Sequence, residues 1–134
     1  MLAPLPDVPF GLNLTTIVVD LPRPPSLNHI WKFSRKGVRP STKYETWKRA
    51  ADGLAMLQRI HRGNHPIGGQ FEAVILVADG KRGDLDNLGK AVLDWAQSRN
   101  LISNDKHCRK LTLEFVEPER APRGAKLTLR ELAA

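Results

Sequence analysis

Hydrophobic positions along the chain switch between two spacings, and the switches outline the fold. Thr15–Leu21 is rich in β-branched residues and predicts a strand, stopped by Pro22-Arg23-Pro24-Pro25. Asn28–Arg39 sets the apolar pieces Ile30, Trp31, Phe33 and Val38 around Ser34-Arg35-Lys36-Gly37, the pattern of a hairpin with a basic tip. Thr42-Lys43-Tyr44-Glu45 has capping-box spacing, in which the Thr42 hydroxyl and the Glu45 carboxylate each satisfy a free backbone N–H. A helix is predicted from there to about Gly63, with Trp47, Ala51, Leu54 and Leu57 as its core stripe. Phe71–Ala78 is apolar except for Glu72 and lacks sustained alternation, which predicts a central strand covered on both faces.

From Asp84 the spacing returns to threes and fours at Leu85, Leu88, Val92 and Trp95, predicting a second helix to about Arg99. Lys110–Val116 and Ala125–Leu132 alternate as two closing strands. Met1–Leu12 is Pro-rich and aperiodic, a loose arm, so residues 13–134 form one α+β domain with a small sheet packed by two helices.

Charge changes this picture. The chain carries 21 Lys and Arg against 14 Asp and Glu, a formal net charge of +7, which favours a polyanionic partner. Pro22–Pro66 holds ten basic residues and two acidic ones, so this segment supplies the whole excess. The longest apolar run, Ala73–Ala78, is far short of the ~20 residues of a membrane span, and Met1–Leu12 lacks the basic start and apolar core of a signal peptide. No membrane partner is expected. Cys108 is the single cysteine, which rules out an intramolecular disulfide and fits a cytoplasmic, intracellular setting.

Candidate chemistry is concentrated in Asp84-Leu85-Asp86-Asn87-Leu88-Gly89-Lys90, followed by Asp105. Asp86, Lys90 and Asp94 are four apart and share a helix face. Metal-assisted phosphodiester cleavage needs hard carboxylate oxygens for Mg²⁺ and a fixed cation to offset phosphate charge, and this segment offers both. The bland alternative is an N-terminal cap at Asp84 and Asp86 with a surface salt-bridge ladder Asp86/Lys90/Asp94. An EF-hand is excluded, since Leu88 and Trp95 stand where its loop needs Asp or Asn and Glu.

Taken in order and spacing, Pro24-Pro25-Ser26-Leu27-Asn28, Trp31, Arg82-Gly83-Asp84-Leu85-Asp86-Asn87, Lys90, Asp94 and Asp105 resemble the signature of the RusA endodeoxyribonuclease family. The resemblance implies a homodimeric, mixed α+β nuclease that binds four-way DNA junctions and nicks two strands symmetrically with Mg²⁺. It places the three essential carboxylates, the metal ligands, on Asp84, Asp86 and Asp105, and the functional lysine on Lys90. One departure is Asn104, where relatives often carry a second acid.

Lys32, Arg35, Lys36, Arg39, Lys43, Lys48 and Arg82 are candidates for phosphate contacts. Asn28 is either a turn residue or a group near the scissile bond. Trp31 is a candidate to wedge or stack at the junction centre, whereas Trp47 fits the core stripe. His107 is expected at the surface or in packing, and His61, Asn64 and His65 carry no chemistry. Two rivals remain: a non-catalytic DNA-binding module, and a metal-dependent nuclease acting on flaps, single strands or RNA.

Overall fold

A computed structural model describes residues 14–25, 31–34, 37–40, 42–60, 67–80 and 85–133. Element order is β1 (Thr16–Pro22), β2 (Trp31–Ser34), β3 (Gly37–Pro40), α1 (Thr42–Leu57), β4 (Phe71–Ala78), α2 (Leu85–Ser98), β5 (Cys108–Val116) and β6 (Gly124–Glu131). Short 3-10 turns at Asp105–His107 and Pro118–Arg120 flank β5. The main sheet has the order β1-β6-β4-β5, antiparallel except for the β4/β5 pair, and β2 and β3 form a separate antiparallel ribbon. It is a mixed sheet with two helices in a single α+β domain, as the hydrophobic spacing predicts.

β4, α2 and β5 make one βαβ unit, because two parallel neighbours need a crossover. Register pairs Ile17, Val19 and Leu21 of β1 with Leu129, Leu127 and Ala125 of β6, and these with Ala73, Ile75 and Val77 of β4. All but the half-buried Ile17 are fully buried, so the core lies on this face, joined by Tyr44, Trp47, Ala51 and Ala55 of α1 and Leu88, Val92 and Trp95 of α2.

Three expectations are corrected. β4 is central, yet its burial alternates strictly; Val74 and Leu76 on the opposite face are only half-buried, and Val18 of β1 is 50% exposed. Among the described residues, one face is covered, not two. The helix α1 ends at Leu57 rather than near Gly63, because Arg59 takes a left-handed φ of 62° and Ile60 N–H returns to Ala55 O at 2.8 Å. That closure carries Ile60 back against the core and leaves Leu57 81% exposed, so the stripe is Tyr44, Trp47, Ala51 and Ala55. Thr42 is itself the first residue of α1, not the residue before it as the capping-box spacing predicts.

α2 closes in the same way at Asn100, φ 63°, with Leu101 N–H on Ala96 O at 2.9 Å. Polar bonds then lock the helices together. Tyr44 donates its hydroxyl to Asp94 at 2.7 Å, and Trp95 Nε1 donates to Asp52 at 2.9 Å, where Arg99 also pairs at 3.2 Å. At the sheet edge Gln58 accepts from Asp20 N–H at 2.7 Å and donates to Asp20 O at 2.8 Å, blunting the open side of β1.

Candidate active site

Among the described residues, Lys90 and Asp105 are the two predicted site residues that the fold brings together. Lys90 sits in the second turn of α2, beside Gly89, whose missing side chain leaves room for Leu113 of β5. Asp105 opens the 3-10 turn that feeds β5. The crossover therefore returns Asp105 alongside α2, with its carboxylate 4.0 Å from Lys90 Nζ. Their side chains are 34% and 61% exposed, so the pair adds little stability, about 0–1 kcal/mol, and leaves both groups reachable by a polyanion.

The turn carrying Asp105 is held at several points. Ser103 N–H bonds Ile67 O at 3.1 Å, and Ser103 Oγ donates to Gly68 O at 2.9 Å. Having one hydrogen, Ser103 Oγ then accepts from His107 Nδ1 at 3.3 Å. Asn104 caps the turn, its Oδ1 accepting from Lys106 N–H at 2.9 Å. Asp105 N–H donates to Gln97 Oε1 on α2 at 3.0 Å.

Among the described residues, the salt-bridge ladder of the bland alternative does not form along α2. Lys90 pairs with Asp105, Asp94 takes the Tyr44 hydroxyl, and exposed Asp86 accepts only from Asn87 N–H at 3.0 Å among the described residues. Asp94 is thereby a tie between helices. Burial, then the hydrogen bond to Asp94, then that residue's charge push the Tyr44 hydroxyl pKa well up. Burial also pushes the Cys108 thiol up, beside Asp105.

Carboxylate oxygens are the right donor type for Mg²⁺, which sits about 2.0–2.1 Å from hard oxygen ligands. Asp86 lies one turn, about 6 Å, before Lys90 on the same face of α2, and the Asp105 carboxylate reaches Lys90, so both acids neighbour this lysine. Among the described residues no group of three His, Cys, Asp or Glu side chains could hold an ion. Asp84, Arg82, Asn28, Arg35 and Lys36 lie outside the described residues, as do the arm Met1–Leu12, His61, Asn64 and His65.

Of the basic candidates, Lys32 and Arg39 are register partners on the β2/β3 ribbon, and Trp31 pairs with Pro40 there. Lys43 is exposed and borders an open cleft of about 420 Å³ with Arg23, Thr46 and Trp47. Lys48 is half-buried with its ammonium 5.4 Å from the Tyr44 ring centre, so it is partly engaged within the protein. Trp47 is core, donating Nε1–H to Pro22 O at 2.9 Å. Arg23, not singled out by the sequence, donates to Ala78 O at 2.6 Å and steadies the end of β4 from which the chain leads to α2.

Comparison with family models settles the kinship of this arrangement. The model for the endodeoxyribonuclease RusA matches residues 22–128, most of the chain. The chain belongs to the RusA family. Membership makes this βαβ unit part of a DNA-cutting fold, and both Lys90 and Asp105 fall inside the matched span. No curated protein matches the chain. Among the described residues, no helix of this RusA-family chain is long and apolar enough to cross a membrane.

Proposed function

We propose that the chain is a Mg²⁺-dependent endonuclease that resolves four-way (Holliday) DNA junctions by paired symmetric nicks, serving DNA recombination and repair as a homodimer. The observation that carries this is the pairing of Lys90 with Asp105 across the β4-α2-β5 unit of a RusA-family chain. Asp84, Asp86 and Asp105 are the residues that would hold Mg²⁺, which when bound supplies positive charge at the scissile phosphate and acidifies a water. Lys90 adds a fixed cation that strengthens its hold on the phosphate as negative charge builds in the transition state.

Asp86 and Lys90 stand one turn apart on α2 and the Asp105 carboxylate of the same chain reaches Lys90, which supports one site in each of the two copies. A two-fold dimer is the natural match for a two-fold junction. Lys32, Arg39 and exposed Lys43 then reach flanking phosphates, with Asn28, Trp31, Arg35, Lys36 and Arg82 as further contacts.

The test is incubation of the protein with an end-labelled four-way junction and the matching linear duplex, with Mg²⁺ or EDTA, for wild type and Asp105→Asn. Symmetric nicks in the junction that need both Mg²⁺ and Asp105 are expected. Binding without cutting would make it a DNA-binding module, and equal cutting of linear duplex would keep the nuclease but remove junction selectivity.

A further inference from the structure

We infer that Gln97 is a positioning residue for Asp105, setting where that carboxylate stands relative to α2. The inference rests on the reading of Asp105 as a metal-holding acid. Nearly every other bond of the Asp105 turn is local or runs to the segment that leads into β4. Lys106 N–H is taken by the Asn104 side chain, His107 N–H by Asn104 O at 3.1 Å, and Cys108 N–H by Asp105 O. Upstream, Ser103 is tied to Ile67 and Gly68. These bonds form the turn and moor it to the segment that leads into β4, yet none of them fixes it to the helix that carries Lys90.

That connection is made by the Asp105 N–H itself, donated to Gln97 Oε1 at 3.0 Å. It is the first amide of the turn, which no bond within a 3-10 turn can satisfy. Gln97 stands seven residues beyond Lys90, so the two side chains leave the helix within about 20° of one another. One strip of α2 thereby touches Asp105 twice, at the backbone through Gln97 and at the carboxylate through Lys90. Losing the Gln97 acceptor leaves the turn folded and moored ahead of β4 but frees its distance from α2. The consequence falls on metal affinity more than on folding.

The test compares Gln97→Met, which keeps the side-chain length and removes the acceptor, with Gln97→Glu, which keeps it. Mg²⁺ binding is read by calorimetry on the whole protein without DNA. Melting temperature, junction affinity in EDTA and cutting at saturating Mg²⁺ are read alongside. Gln97→Met is expected to weaken Mg²⁺ binding ~10-fold, the usual scale for a residue supporting a ligand, with the other readouts near wild type. Gln97→Glu should bind Mg²⁺ at least as tightly as wild type. Wild-type affinity in Gln97→Met, or equal weakening in both variants, would overturn the inference. Should Gln97→Met fail to fold, weak binding by Gln97→Glu alone overturns it. Asp105→Asn serves as reference: if it keeps wild-type Mg²⁺ affinity and cutting, Asp105 holds no metal and the underlying reading falls first.

Discussion

Tyr44 is the one tyrosine in the chain, and its hydroxyl is committed to Asp94. With its folded pKa raised, the native state holds this proton where the unfolded chain, with a pKa of about 10, has released it. The stability it contributes is fully present below about pH 10 and is lost as pH rises beyond. Two outcomes are expected. Absorbance of phenolate in the native protein should appear only together with unfolding, and Tyr44→Phe should lose less stability than wild type between pH 8 and 11 in urea titrations. At pH 8 the same substitution should cost about 1–2 kcal/mol, the scale of a hydrogen bond to a charged group. Phenolate appearing near pH 10 in fully folded protein would show that the Tyr44–Asp94 bond is weak. Spacing in the sequence put Asp94 on a shared face with Lys90 but not its partner, because Tyr44 lies 50 residues away on another helix.

Among the elements, α2 does most to define the site, and most of it was legible in advance. Leu88, Val92 and Trp95 at helical spacing fixed its buried face, and that face dictated where Lys90 must stand. What the periodicity could not supply was the topology: the parallel pairing of β4 with β5, which brings Asp105 back to Lys90, is a long-range fact. Helix α1 shows the converse failure, since its end was placed by Gly63 while Arg59 adopts the left-handed turn so that Ile60 can pack. Gln97 carried a usable signal, seven residues beyond Lys90, that was passed over because a glutamine there has no chemistry of its own.

The start of β6 supplies a prediction at this scale. Gly124 has φ +122° and lies against the Arg23 backbone, so an added methyl meets main chain that cannot rotate away. Gly124→Ala is expected to cost about 2 kcal/mol or more in urea unfolding, from left-handed strain together with displacement of Arg23. A loss under about 0.5 kcal/mol would mean that this corner yields easily and that Arg23 is not held by it.

For the whole molecule, the uneven charge and the one-sided sheet point outward. The ten basic and two acidic residues of 22–66 give this segment the charge that a polyanionic partner favours. Among the described residues, nothing fully covers the half-buried Val74 and Leu76 on the other sheet face. The resemblance names the acids of the site, and the fold sets Lys90 between Asp86 on its own helix and Asp105 on the returning turn. The most direct check is cutting of an end-labelled four-way junction by wild type, Asp86→Asn and Asp105→Asn, with Mg²⁺ or EDTA. The account predicts paired nicks by wild type in Mg²⁺ alone, and no cutting by either variant although both still bind the junction. Cutting by Asp86→Asn or Asp105→Asn at the wild-type rate would contradict it.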